Sequence, residues 1–433
     1  MNSLMTYLEA KVMPVATKIS GQRHMSSIRH GLIAILPLTI VGSFFTILLN
    51  IPVDSIAAFI APHKAMLDVP FRFTVGIMSL YCAFTIGQHL ASTYDLDQRS
   101  SGLLAVLAFL ISTVVPIQVT ESVDGVINAG RYINIANLGS ASLFAAIVTS
   151  IAAVEIFRFM KEKNWTIKMP EGVPPEVSNS FVALLPTATV IFVFLIIRYV
   201  FHFDINGFLT AILMPLKGVL AGNSLFGGLL TVFLICLFWV MGIHGPAILG
   251  PIIRPFWDMS IAENMEAFAT GTPASQMPNI FTEQFIQWYV WIGGSGATLA
   301  LVCLFLFSKS EFIKKLGKLS ILPGLFNINE PVIFGAPIVM NPILAIPFIL
   351  APLVMTTVAY IFLKLGLIPM MVAKLPFTVL SPIAAWMSTD WTIMAGVLVI
   401  INFIISLIIY YPFFKVFERQ QLEKEAEFAK SDM

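Results

Sequence analysis

Apolar residues fall in long unbroken runs rather than alternating with polar ones, so the chain reads as buried helices and not as strands or a membrane barrel. Crossing a bilayer takes about 20 apolar residues. Runs of that kind lie near residues 31–51, 73–92, 102–117, 138–158, 180–200, 224–243, 286–307, 342–364, 367–388 and 392–414. The third is short, and Lys374, Pro376 and Pro382 interrupt the ninth. The pattern predicts an all-α polytopic membrane protein of about ten transmembrane helices.

The runs are regular up to about residue 205 and irregular beyond it. This predicts two domains, a scaffold over 1–205 with a solvated loop at 159–179, and a second domain over 206–433. Two interfacial amphipathic helices are expected in the second, at 208–221 and 309–319. In the latter, Phe312, Leu316 and Leu319 share one face and Lys314, Lys315 and Lys318 the other. The 245–285 segment carries Arg254, Asp258, Glu263, Glu266 and Glu283, too many charges for an ordinary span. It is expected to be a re-entrant hairpin whose polar tip includes Asn279–Gln284. A second hairpin is expected at 322–341.

Composition supports the membrane reading. The 433 residues are 58% hydrophobic and 11% charged, against roughly 25% charged in soluble domains. A net charge of +1 without a basic block points away from nucleic acid. Lysines and arginines flank the first span (Lys11, Lys18, Arg23, Arg29), follow the fourth (Arg158, Lys161, Lys163, Lys168) and occupy the tail (Lys415, Arg419, Lys424). The positive-inside rule makes all three cytoplasmic, both termini included, which needs an even number of crossings. Cys82, Cys236 and Cys303 lie in apolar segments without metal-like spacing, and no cofactor motif is present.

Between Lys318 and Lys364 one charged side chain occurs, Glu330, in the run Asn327-Ile328-Asn329-Glu330-Pro331-Val332-Ile333-Phe334-Gly335. A carboxylate at membrane depth marks a substrate or ion site by default. Prolines at 323, 331, 337, 342 and 347 forbid one regular helix. Broken backbone there has to be buried in protein or line a cavity. Pro331 suits the first turn of a helix. Glu330 would then meet the positive end of that half-helix, while burial would push its carboxyl towards the neutral acid. With Asn327 and Asn329 beside it, the carboxylate suits the gripping of sugar hydroxyls, or else caps a helix without any ligand.

A second candidate is Met241-Gly242-Ile243-His244-Gly245-Pro246, where Pro246 is expected to end the sixth span and the glycines to admit a ligand close to the backbone. His244 can donate to and accept from a hydroxyl, or be a satisfied core histidine. Asn279 is a weaker contact candidate. Trp386 and Trp391 could stack on a sugar ring or anchor the interface.

The run NINEPVIFG closely resembles the signature of the membrane C component of the phosphoenolpyruvate-dependent sugar phosphotransferase system, in its lactose, cellobiose and diacetylchitobiose class. The Gly242–Gly245 turn, the Pro278-Asn279-Ile280-Phe281 segment and the span layout resemble it too. The resemblance implies a homodimer in the bacterial cytoplasmic membrane, with a scaffold of N-terminal spans and a C-terminal half that moves the sugar like an elevator. It implies that Glu330 and His244 sit by the hydroxyl to be phosphorylated; Asn279, Asn327, Asn329 and Trp386 are further candidate sugar contacts by residue type alone. The donor would be a phosphocysteine on a separate B component, and no metal or cofactor is implied. The alternative is an ion-coupled secondary transporter using Glu330 as its coupling site. An intramembrane hydrolase would need a catalytic pair that the sequence lacks.

Overall fold

The computed structural model describes residues 22–431 except 52–53, 121–127, 168, 171–173, 175–177, 179–180, 221–222, 243, 337 and 339–340. Lys11, Lys18, Lys168 and much of the expected 159–179 loop lie outside them. Among the described residues the chain is helical, apart from one antiparallel hairpin, β1 (Ile117–Val119) with β2 (Gly130–Tyr132), in which Gln118 pairs with Arg131. That hairpin is the departure from an all-α fold. It follows Pro116, which cannot continue the preceding helix, and it consists of largely exposed loop residues.

Among the described residues five helices are long and apolar enough to cross a bilayer: Arg23–Thr46, Ser55–Ser92, Ser140–Glu162, Ile343–Lys364 and Ile393–Glu427. The pair Leu184–Val200 and Ile205–Gly218, bent by 76°, makes a sixth if it is one span. The expected spans near 102–117 and 224–243 are the shorter helices Gln98–Thr113 and Leu225–Val240. Two others are broken. The 286–307 run forms a short turn of helix to Val290, irregular backbone, then Leu299–Leu306; the 367–388 run is irregular up to helix Ser381–Ser388.

The chain forms two compact units. One comprises Gly21–Phe45 and Lys64–Leu216. Its principal helices are α1 (Arg23–Ala34), α2 (Met78–Ser92), α3 (Gln98–Thr113), α4 (Leu143–Glu162) and α5 (Leu184–Leu195). Small residues let these helices approach closely, as membrane helices do without a hydrophobic drive between them. Gly31 sits on the backbone of Ile86, and Gly87 on Ala105. Hydroxyls bridge helices: the buried Ser150 Oγ donates to the Ala83 carbonyl at 3.1 Å and the half-buried Thr85 Oγ1 to that of Gly31 at 2.9 Å. At one end Glu155 accepts from Tyr94 at 2.7 Å and pairs with His24 and Arg158, both at 2.8 Å.

The other unit comprises Thr46–His63 and the described residues from Lys217 onward. Its principal helices are α6 (Leu225–Val240), α7 (Gly245–Ala269), α8 (Glu311–Leu325), α9 (Glu330–Gly335), α10 (Pro342–Lys364), α11 (Ser381–Ser388) and α12 (Ile393–Ser431). The expected amphipathic helix is α8, but its buried stripe is Ile313, Leu316, Gly317, Ser320 and Gly324. Phe312 and Leu319 are exposed, so the inward face is rotated from the one hydrophobicity suggested. The reason is close packing: an added Cβ on Gly317 would lie 2.9 Å from Phe305 Cβ, and no bulky residue fits there.

Candidate functional site

Glu330 opens α9, with Pro331 in its first turn as expected. Its side chain is exposed, whereas Asn329, Val332 and Ile333 around it are buried. The turn before it is fixed by the two asparagines. Asn327 adopts the left-handed region at φ 61°, a conformation asparagine tolerates. Its Nδ2 donates to the carbonyls of Phe377 at 2.8 Å and Val379 at 3.3 Å. Its Oδ1 accepts from Gly293 N–H at 3.0 Å and Ser381 Oγ at 3.1 Å. Asn329 Nδ2 donates to the Ser295 carbonyl at 2.7 Å. Both amides thus brace the turn and leave the carboxylate to project from it.

The other wall of this brace is the irregular stretch 291–298. Gly293, Gly294 and Gly296 have φ between 82° and 94°, where a side chain is strained. At Gly294 a Cβ would also lie 2.5 Å from the Asn329 amide carbon. Carbonyls in and just before this stretch accept from a polar stripe on α12. Tyr410 Oη donates to Gly296 at 2.7 Å, Ser406 Oγ to Ala297 at 3.2 Å, and Asn402 Nδ2 to Tyr289 at 2.8 Å. The spacing of four residues puts all three on one face of that helix. Broken backbone at membrane depth is tolerated where such groups satisfy it.

His244 lies between α6 and α7 and is exposed. Pro246 does not end α6, which stops at Val240; it sits in the first turn of α7, where its missing N–H is harmless. Gly242 takes the positive-φ turn at 82°. The closeness that Gly245 permits is to the Ile235 carbonyl, not to open space. The His244 ring packs on Trp239 at 4.5 Å between centroids, tilted by 49°. The Trp239 indole lies 6.4 Å from Phe334, which is one helical turn after Glu330 on α9. Trp239 thus links the two sequence candidates, and it was missed. The signal was there, since an indole five residues ahead of His244 closes the same helix end. Its buried Nε1–H has no hydrogen-bond partner among the described residues.

Asn279 and Trp386 are placed differently. The 245–285 segment doubles back, but its turn is at 270–278, so Asn279 lies on the returning arm and not at a tip. Asn279 Nδ2 donates to Glu263 Oε2 at 2.7 Å, and Lys217 pairs with the same carboxylate at 2.6 Å. Trp386 Nε1 donates to the Trp391 carbonyl at 2.9 Å, and the two indoles meet edge to face at 4.9 Å. Three further charges of the segment, Arg254, Asp258 and Glu283, are paired. Arg254 binds Glu283 at 2.7 Å, and Lys374 binds Asp258 at 2.5 Å and Glu283 at 3.2 Å. Two cations against two anions make the cluster neutral, which is how charges persist in a buried setting. No group of three or more histidine, cysteine or acidic side chains suited to a metal occurs among the described residues.

Comparison with known proteins shows what the chain is similar to. Residues 29–352 match the family described as "Phosphotransferase system, EIIC". The chain is 40% identical to the lichenan permease IIC component of Bacillus subtilis strain 168, over 98% of this chain and 96% of that one. It is 39% identical to the cellobiose-specific EIIC component of Geobacillus stearothermophilus over the same shares. A lactose-specific EIICB component of Staphylococcus epidermidis is 30% identical over 98% of this chain and 72% of its own length. The crystal structure of the transporter ChbC, the IIC component of the N,N'-diacetylchitobiose-specific phosphotransferase system, superposes with a TM-score of 0.88. It is 37% identical and is covered over 99% of its length, against 97% of this chain.

Proposed function

The chain belongs to the EIIC family of the phosphotransferase system, a family of bacterial sugar permeases, and from that premise we propose that it carries a β-linked disaccharide of the cellobiose or diacetylchitobiose type. One observation supports this reading most directly. Trp239 packs between His244 and the helix that Glu330 opens, so an aromatic face, an imidazole and a carboxylate are gathered within one unit. Pyranose rings have apolar faces that suit an indole, and their hydroxyls suit the two polar groups.

In the proposed reaction the sugar enters from outside and reaches the cytoplasmic side by an elevator-type movement of the C-terminal unit, while the N-terminal helices act as scaffold in a homodimer. A sugar hydroxyl then attacks the phosphorus of a phosphocysteine on a cytoplasmic B component. The new O–P bond forms as the P–S bond breaks, the thiolate leaves, and Glu330 takes the hydroxyl proton. His244 hydrogen-bonds the same end of the sugar. Transfer of this kind rests on positioning and charge stabilisation, so one well-placed carboxylate suffices. Asn327 and Asn329 contribute by holding Glu330 in place, with Asn279 and Trp386 as more distant contacts. Cys82 and Cys236 are buried and Cys303 is half-buried in helices, which supports a donor cysteine on another chain. The ion-coupled alternative gains nothing from the family.

The test uses right-side-out bacterial vesicles containing the protein, loaded with the soluble phosphotransfer proteins and a matching B component. Labelled cellobiose and diacetylchitobiose are added outside, and internal sugar is separated by charge. Anionic sugar that forms only with the B component and phosphoenolpyruvate is the expected result. Neutral sugar accumulating under an ion gradient without the B component would overturn it.

A further inference from the structure

The neutral cluster of Arg254, Asp258, Glu283 and Lys374 has no place in the reaction above, yet it grips a segment that leads to Glu330. Residues 374–381 run as a strap between two anchorages within one unit. At one end Lys374 is held by Asp258 of α7 and by Glu283. Beside it, Leu375 N–H donates to Gln284 Oε1 at 3.0 Å, and the same oxygen accepts from Trp288 Nε1 at 3.1 Å. At the other end the carbonyls of Phe377 and Val379 and the hydroxyl of Ser381 take three of the four bonds made by the Asn327 amide. Three residues further on is Glu330. The helix that grips Lys374 is α7, whose first residue follows His244. Each polar candidate therefore stands at the start of a helix tied, directly or through Asn327, to the same strap.

We infer that Lys374 is a positioning residue for the sugar site, acting through the 374–381 strap and Asn327 to fix Glu330 relative to His244. The inference rests on the reading of Glu330 and His244 as sugar ligands. A buried lysine whose four-charge neighbourhood is neutral is conformationally fixed, because leaving the cluster would strand an anion. The strap inherits that fixity over its length. Positioning errors of about 1 Å at a site cost about a hundredfold in turnover, so such a tie is a plain way to hold a carboxylate carried on a six-residue helix.

The test compares full-length wild type with Lys374→Gln, Lys374→Arg and Ser381→Ala in detergent. Binding of labelled cellobiose and amide hydrogen exchange over 326–334 are both read. Lys374→Gln is expected to weaken cellobiose binding at least about tenfold and to speed exchange at 326–334. Lys374→Arg should keep both near wild type. Ser381→Ala buries no charge and loosens only the far end of the strap, so it should show the same pattern at about threefold, even should Lys374→Gln fail to fold. Unchanged binding in Ser381→Ala and in a folded Lys374→Gln would overturn the inference, as would weaker binding with no change of exchange at 326–334. Wild type that does not bind cellobiose or diacetylchitobiose at all would instead count against the proposed function, independently of the strap.

Discussion

The indole of Trp239 packs against the imidazole of His244 with centroids 4.5 Å apart and planes tilted by 49°. Trp239 is buried and His244 is exposed, so the indole supports the imidazole from the protein side. In the proposed function His244 turns towards a sugar hydroxyl, with the indole behind it.

Trp239→Ala should lower the affinity for cellobiose by at least about tenfold. It also removes a large core side chain, with an expected cost of about 3–5 kcal/mol in stability. Trp239→Phe keeps an aromatic face and should recover most of both. Calorimetric binding and melting in detergent separate the two effects.

Glu330→Gln should keep sugar binding within about tenfold and lose at least about a hundredfold in phosphoryl transfer, because an amide can hydrogen-bond a hydroxyl but cannot take its proton. Single-turnover formation of sugar phosphate from a phosphorylated B component is the measurement. A rate close to wild type would remove the proposed base.

Gly294→Ala should destabilise the protein by about 1–3 kcal/mol, since alanine at a φ of 94° is strained. Its Cβ would also press on the Asn329 amide at 2.5 Å. The melting temperature should fall, and exchange at Asn329 and Glu330 should rise with it.

Tyr410→Phe deletes the 2.7 Å bond to the Gly296 carbonyl and leaves that buried oxygen short of a donor. The expected cost is about 1–3 kcal/mol. Transport should fall further than stability if the 291–298 stretch supports the Glu330 turn. Uptake and melting measured on the same preparation will tell the two apart.

The Asn327–Gly335 run announced itself in the sequence, since one carboxylate among prolines in an apolar region has few uses at membrane depth. The position of Pro331 in the first turn of α9 followed from local chemistry and holds in the structure. Pro246 was misjudged because a proline after a glycine turn reads equally as a stop or a start. The buried face of α8 was misjudged because it was drawn from Phe312, Leu316 and Leu319, whereas close packing selected Gly317 and Ser320 for the inside. The asparagines at 327 and 329 looked like ligands by type, and the charges at 254, 258 and 283 looked like the polar part of a hairpin; only their partners show what each one holds.

Apolar runs, low charge and the NINEPVIFG segment by themselves determined that this is a helical membrane protein with a carboxylate-bearing break in its second half. These are local properties: hydrophobic length and proline position act on the chain wherever it folds. Tertiary structure alone decided that Trp239 joins His244 to α9 and that Lys374 neutralises Asp258, 116 residues away. It also decided that Asn327 is a brace. Which buried groups meet is set by close packing and charge pairing between distant segments, and a pattern of residue types along a chain does not encode those distances.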